Sequence, residues 1–438
     1  MTVLVLGAAG LIGNVIAADL IRRGIPVVAA ARRFTPEQRD SLGAAAREMP
    51  IAALDSAALA RLIDDCAADV VVNCLGVLQD AGADSTQAVH QAFVERLLAA
   101  LRAIRRPVLL VHLSILGAAA SDGTNFSRSK RAAEDAIAKS GLPYAILRPG
   151  FVFAPRAYGG SAMLRALAAL PLALPSALAS RPLATVAVED IAETVHVLAQ
   201  QWQKPDPRHA AIWDVMQPDT LTIGDVTASL RRWLGADRRW RIPLPMALFK
   251  LGALTGDASA WLGWRPPVRS TALIELMRGI AGDPRPWMAA TKIMPRPLGD
   301  VLWARPATVQ EKWFARIYPL KALIVGILAV FWCASSLIVL TVAFPAAVAI
   351  FTAHGFQLGL AQVLTVASCL TDLSVGVAIA FRRTHVYGLG AGIAVSLFYM
   401  AGAAILTPEL WIEPLGALVK TGPAIVLMLV ALAIADDR

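Results

Sequence analysis

From Ala322 to Phe344 the chain runs for 23 residues without a charge, and three further apolar runs follow. Gly355–Phe381 spans 27 residues with one charge, Asp372; Val386–Leu406 spans 21 with none; Leu415–Ala435 spans 21 with only Lys420. A hydrocarbon core of ~30 Å is crossed by about 20 helical residues. A helix also satisfies its own backbone hydrogen bonds where no water can. Four such runs in succession predict an all-α transmembrane four-helix bundle over residues 317–438.

The charge distribution separates this part from the rest. Charged residues make up 17% of the chain, against roughly 25% in a soluble domain. Five basic residues (Lys321, Arg382, Arg383, Lys420, Arg438) and five acidic ones (Asp372, Glu409, Glu413, Asp436, Asp437) lie beyond residue 316. That leaves 36 of 41 basic and 27 of 32 acidic residues before it, so the whole +9 sits there. Such a surface suits anionic lipid headgroups or a phosphate-bearing ligand. No Lys/Arg cluster with interleaved aromatics is present, and nucleic acid is not an expected partner. Cys66, Cys74, Cys333 and Cys369 form no C-x-x-C or metal-ligand spacing, which implies reduced, packed thiols and no metal site.

Loop charges predict orientation. Lys312, Arg316 and Lys321 precede the first run, Arg382 and Arg383 divide the second from the third, and Arg438 follows the fourth. The connections 345–354 and 407–414 carry no Lys or Arg. The positive-inside rule then places the N-terminal domain and the C-terminus in the cytoplasm of a bacterial-type inner membrane. Met1-Thr2 leads at once into a strand pattern, with no features of a signal peptide, which agrees.

The N-terminal part alternates short apolar runs with helical patterns. Runs at Val3–Leu6, Pro26–Ala31, Val70–Cys74, Val108–Leu113 and Tyr144–Leu147 are separated by helical stretches such as 11–23, Ala88–Arg105 and Lys130–Ser140. This spacing predicts an α/β Rossmann-like, doubly wound parallel sheet. Residues 151–240 are punctuated by Pro and Gly, although Thr185–Ala199 still reads as strand, turn and helix. Residues 241–316 are rich in Pro, Arg and Trp (Trp261, Trp264, Trp287, Trp303, Trp313). They fit either a bilayer-interface segment or a cap packed on the soluble domain. Three parts are expected: 1–240, 241–316 and 317–438.

Gly7-Ala-Ala-Gly10-Leu11-Ile12-Gly13 follows the first strand and opens the first helix. Gly7 permits the tight turn, Gly10 admits a pyrophosphate to the backbone, and Gly13 lets helix and strand approach. The helix N-terminus favours the anion, with Leu11 and Ile12 in its first turn. After the second strand, where an NAD site places an acid, this chain has Arg32 and Arg33. A guanidinium suits a 2′-phosphate, so NADP(H) is favoured over NAD(H).

These residues resemble the extended or atypical short-chain dehydrogenase/reductases over roughly residues 1–240. The likeness also rests on Asp55, Asn73-Cys-Leu75-Gly76, His112-Leu-Ser114 and Leu147-Arg-Pro-Gly150. It implies that Asp55 touches the adenine, that Leu75 and Gly76 border the adenosine ribose, and that Ser114 helps hold a substrate carbonyl. The family's Tyr-x-x-x-Lys pair corresponds to Phe126-Ser-Arg-Ser-Lys130: Lys130 is kept, and Phe126 replaces the proton-donating Tyr. Tyr158 and Ser114 are the nearest substitute acids. The chain is similar, too, to the nucleotide-binding accessory subunit of respiratory complex I, which implies nucleotide binding with little or no turnover.

Trp411-Ile-Glu-Pro-Leu-Gly-Ala-Leu-Val-Lys420-Thr-Gly-Pro423 before the last run resembles the DoxX-like membrane domain, over about residues 308–435. That likeness implies a loose link to quinone-coupled redox chemistry. Asp372, inside a span, is a candidate functional acid or a structural one, with Lys420 as a partner if their depths agree. Two functions are expected from this. One is a membrane-anchored oxidoreductase acting at the cytoplasmic face on a quinone or lipophilic carbonyl. The other is a non-catalytic NADP(H)-binding sensor or assembly module of a membrane redox complex.

Overall fold

The computed structural model describes residues 1–78, 85–237, 240–266, 268–412 and 416–436. The chain divides into two compact units, Met1–Asp257 with Pro266–Ala315, and Ala258–Arg265 with Arg316–Arg438.

The first unit is built on a seven-stranded sheet whose pairings are all parallel. Six strands, β1 (Thr2–Leu6), β2 (Val27–Ala31), β3 (Ala46–Glu48), β4 (Ala68–Asn73), β5 (Leu109–Leu113) and β6 (Tyr144–Pro149), are joined at the β6 edge by a seventh, Ala210–Val215. The order from that edge is Ala210–Val215, β6, β5, β4, β1, β2, β3. Strand order therefore reverses between β1 and β4, the crevice where an open α/β sheet binds ligands. Val3, Leu4, Val5 and Leu6 are fully buried on both faces, as expected where helices cover both sides of a parallel sheet. Helix α1 (Leu11–Arg22) and helix Val188–Gln201 cover one face; α3 (Ser56–Asp65), α4 (Phe93–Ala103) and α5 (Asn125–Ala138) cover the other, α2 (Pro36–Leu42) lying between β2 and β3 in the chain.

Two strands go beyond the sequence reading. β3 is Ala-Arg-Glu, with no apolar alternation to mark it, and Ala210–Val215 is a half-exposed edge strand. Most of the Trp-rich stretch packs on this unit. Trp287 is fully enclosed, its indole N–H donating to Thr194 Oγ1 at 3.0 Å, and Leu298 and Leu302 join a core cluster with Leu230 and Leu234. Trp303 and Trp313 are exposed.

Among the described residues three helices are long and apolar enough to cross a membrane: Val309–Thr341, which begins in the first unit, Leu358–Ala380 and His385–Leu406. The fourth, Ala417–Ala433, has 17 residues. A shorter apolar helix, Phe344–Ala353, intervenes where the first run was expected to continue to Phe344. The chain breaks after Thr341, and Pro345, which has no N–H to give a preceding helix, opens the new one. Glycines set the helix spacing. A Cβ on Gly388 would lie 2.6 Å from the Ile379 nitrogen, and one on Gly392 2.7 Å from Met428 Sδ. Trp332, Ile379, Leu389 and Met428 fill the core. Trp264 belongs to this unit: its indole donates to the Ala380 carbonyl at 2.7 Å, and the Arg382 guanidinium lies over its ring at 5.1 Å. Asp372 accepts from the Tyr399 hydroxyl at 2.9 Å, while Lys420 is exposed. Tyr399, not Lys420, is thus the partner of this acid. Glu413–Leu415 of the DoxX-like motif, and Arg438, lie outside the described residues.

Candidate functional site

The turn after β1 is shaped by close contacts. Gly7 has φ +84°, and a Cβ there would sit 3.1 Å from both the Cys74 carbonyl carbon and Leu75 Cδ2 at the end of β4. A Cβ on Gly13 would come within 2.5 Å of the Gly7 carbonyl oxygen, so only glycine lets α1 start so near the strand. Gly10 caps α1, and the first intrahelical bond runs from the Asn14 N–H to Gly10. The N–H groups of Leu11 and Ile12 precede that bond and have no carbonyl partner within the helix. N–H groups left free at a helix N-terminus in this way suit an anion.

Across the crevice Asn73 fixes the loop bearing Leu75 and Gly76. Its Oδ1 accepts from the Leu75 N–H at 3.1 Å, which orients its amide to donate to His112 Nδ1, also at 3.1 Å. The His112 proton is then on Nε2. His90 repeats the device: Val77 N–H donates to Nε2 at 3.0 Å, leaving Nδ1–H to meet Ser129 Oγ at 2.8 Å. His90 projects from a single π-helical turn, Ala88–Ala92, a distortion that often marks a site. Burial, then the Lys130 charge, pushes His90 down to about 3, and the same two causes hold His112 well below its usual value.

Phe126 and Lys130 lie one turn apart on α5. Lys130 is buried and donates to the Leu113 carbonyl at 2.8 Å, and a Cβ on Gly76 would be 3.6 Å from its Nζ. Burial brings the Lys130 ammonium down to about 8, against the opposing pull of Cys74 and Glu134. The Phe126 ring meets His90 edge-on at 5.6 Å and lines an open pocket of about 260 Å³ with Leu78, Thr124, Ser270 and Ile274. The hydroxyl that a Tyr would place here has no substitute on the ring.

Behind Lys130, on the next turn of α5, Glu134 anchors a buried charge network. Arg148 binds its two oxygens at 2.9 and 2.6 Å, and Arg131 adds a contact at 3.0 Å. Burial would raise the Glu134 carboxyl, but Arg148, Ser114 and Arg131 bring it below the usual range. Arg131 also binds Asp122, which pairs with Arg278 at the end of helix Ser270–Arg278. Ser114 is enclosed; no bond of good geometry reaches its hydroxyl among the described residues, although it lies close enough to Glu134 to favour that charge.

Lys130 is therefore beside Gly76 and bonded to Leu113, which precedes Ser114, with Phe126 one turn away on α5; the Gly7 turn packs against Cys74 and Leu75. The remaining four residues singled out in the sequence are Tyr158, Asp55, Arg32 and Arg33. Tyr158 is 57% exposed, and its described hydrogen bonds are backbone ones to Ser161; no contact joins it to Phe126 or Lys130. Asp55 caps α3, its Oδ1 accepting from the Ala58 N–H at 2.7 Å. Arg32 and Arg33 are both exposed just beyond β2, and Glu48 nearby is bonded to the Phe34 N–H and to Arg39.

Residues 7–167 match the NAD(P)H-binding family model, and residues 329–429 match that of the DoxX-like family. The chain joins an NAD(P)H-binding domain to a DoxX-like membrane domain. The NAD(P)H-binding domain has a short-chain dehydrogenase/reductase-like fold. One similar solved structure is the UDP-glucuronic acid 4-epimerase of Bacillus cereus in complex with UDP-glucuronic acid and NAD, with a TM-score of 0.51 and 15% identity over 72% of this chain and 99% of that one. A second is the Bordetella bronchiseptica enzyme WbmH in complex with NAD+, with 0.51 and 16% over 72% and 98%. A third, gox2253, gives 0.53 and 16% over 72% and 99%. No curated protein sequence matches the chain.

Within the NAD(P)H-binding domain, His90, Glu134 and Arg148 escaped notice as individual site residues. Glu134 carried a signal, since Phe126, Lys130 and Glu134 share an i, i+4 face. His90 carried none, because a π turn breaks that periodicity.

Proposed function

We propose that this protein is a membrane-anchored, NADP(H)-dependent oxidoreductase acting at the cytoplasmic face on a lipophilic carbonyl or a quinone. The observation that carries this is the packing of the Gly7 turn against Cys74 and Leu75, next to Gly76 and the buried Lys130, with an open pocket lined by Phe126 one helical turn away. Gly7, Gly10 and Gly13 with the Leu11 and Ile12 amides suit a pyrophosphate, and Leu75 and Gly76 border the place for a ribose. When bound, NADP(H) would supply the hydride. Lys130 holds a proton beside Gly76, near neutrality because burial has lowered its affinity for it. Leu78 and Ile274 give the open pocket an apolar side, which favours a lipophilic acceptor. Arg32 and Arg33, just beyond β2, favour a 2′-phosphate by charge.

Two measurements test this. Arg32→Ala is expected to weaken NADPH binding about 10-fold or more while leaving NADH nearly unchanged, as loss of one charge-assisted contact of about 1.5–3 kcal/mol requires; equal losses refute the NADP(H) assignment. Purified protein with NADPH and a panel of quinones and long-chain aldehydes is expected to lose reduced-nicotinamide absorbance. Binding without turnover on every acceptor would support a second reading, a non-catalytic NADP(H) sensor or assembly module. Phe126, which cannot donate a proton, favours that reading.

A further inference from the structure

Helix Met246–Ser259, which lies in the first unit as far as Asp257, is largely apolar on both faces. Inward, Phe249 and Ala253 join the packing, and a Cβ on Gly256 would fall 1.9 Å from the Val268 carbonyl oxygen, so this face is fixed against the domain. Outward, Leu248, Leu251 and Leu254 are 51%, 56% and 62% exposed and recur at helical spacing with Ala247 and Ala258. A surface helix normally turns charged residues outward. Here Lys250 is the single charge before Asp257.

We infer that this helix lies in the plane of an anionic bilayer surface, with Leu248, Leu251 and Leu254 turned into the lipid. Three observations favour lipid over another protein. The helix runs directly into Ala258–Arg265, a segment of the membrane unit in which Trp264 is bonded to Ala380. Trp261, within that segment, is 91% exposed, as suits an indole at headgroup level. The residues up to 316 carry the chain's whole +9, complementary to anionic headgroups. At 14 residues the helix is too short to cross the hydrocarbon core and long enough to lie along it.

The test uses the full chain in nanodiscs of phosphatidylcholine with one quarter phosphatidylglycerol. A nitroxide attached through a keto amino acid replaces Leu251, Leu254 or, as a water-exposed control, Gln201. At 251 and 254 molecular oxygen is expected to relax the label more than a water-soluble nickel chelate does, with the reverse at 201. Nickel access at 251 and 254 equal to that at 201 overturns the inference. So does spin–spin coupling between two copies in one disc, which would assign this face to a second chain. Because the readout is depth in lipid, its failure is separate from failure to oxidise NADPH.

Discussion

At Phe126 the chain lacks the hydroxyl that a Tyr would carry one turn before Lys130. Phe126→Tyr would place a phenol one turn from the Lys130 ammonium, the spacing that lets a cation favour the phenolate. Restoring a positioned general acid is commonly worth 10²–10⁴ in rate. The variant is therefore expected to raise NADPH-dependent carbonyl reduction by about that factor in a steady-state assay, and an unchanged rate would count against a carbonyl substrate. His90 has its own consequence. Its folded-state value of about 3 lies below its unfolded value near 6.5, so only the unfolded chain takes up this proton between them. Stability from this residue is complete above pH 6.5 and lost as pH falls towards 3, by up to about 1.4 kcal/mol per unit. His90→Gln should flatten that slope in denaturant titrations run from pH 7 to pH 4. The glycines and Lys130 were legible in the sequence because the chemistry demands those residue types at fixed spacings. His90 was not, since its role depends on a backbone distortion and on partners at 77 and 129.

Among the elements, β1, the glycine turn and α1 could be read directly, because an apolar run, a Gly triplet and a 3.6-residue period all pointed to one local structure. Strand β3 could not, since three residues without a pattern owe their extended form to pairing with β2. The charge network around α5 was equally hidden. Its members Asp122, Arg131, Glu134, Arg148 and Arg278 are scattered over more than 150 residues and meet only in the fold. Removing Glu134 would leave the half-buried Arg148 and Arg131 without their shared acceptor, with Asp214 and Asp122 as the acids remaining near them. Breaking a buried pair this way typically costs about 3–5 kcal/mol. Glu134→Ala should show a loss of that size in chemical denaturation, whereas a loss below about 1 kcal/mol would mean that water reaches the network freely.

For the whole molecule, the membrane part was legible from length and charge alone, because lipid imposes its own arithmetic on a helix. The extra helix Phe344–Ala353 was missed because an apolar composition does not reveal where Pro345 starts a new axis. Asp372 tests the reach of that unit. An amide oxygen can still accept from Tyr399, so Asp372→Asn is expected to leave the fold intact in thermal unfolding. A fall in quinone-linked turnover would then mark the acid as a proton carrier, and unchanged turnover would reduce it to a structural bond. Trp287 carries a different consequence, one of timing. It closes a core whose strands are complete by Val215, yet it leaves the ribosome 72 residues later and only 22 before the helix that starts at Val309. At roughly 5–20 residues per second, the cavity awaiting this indole stands open for about 4–14 s during synthesis. The nascent sheet thus finishes its core almost as the first membrane helix emerges.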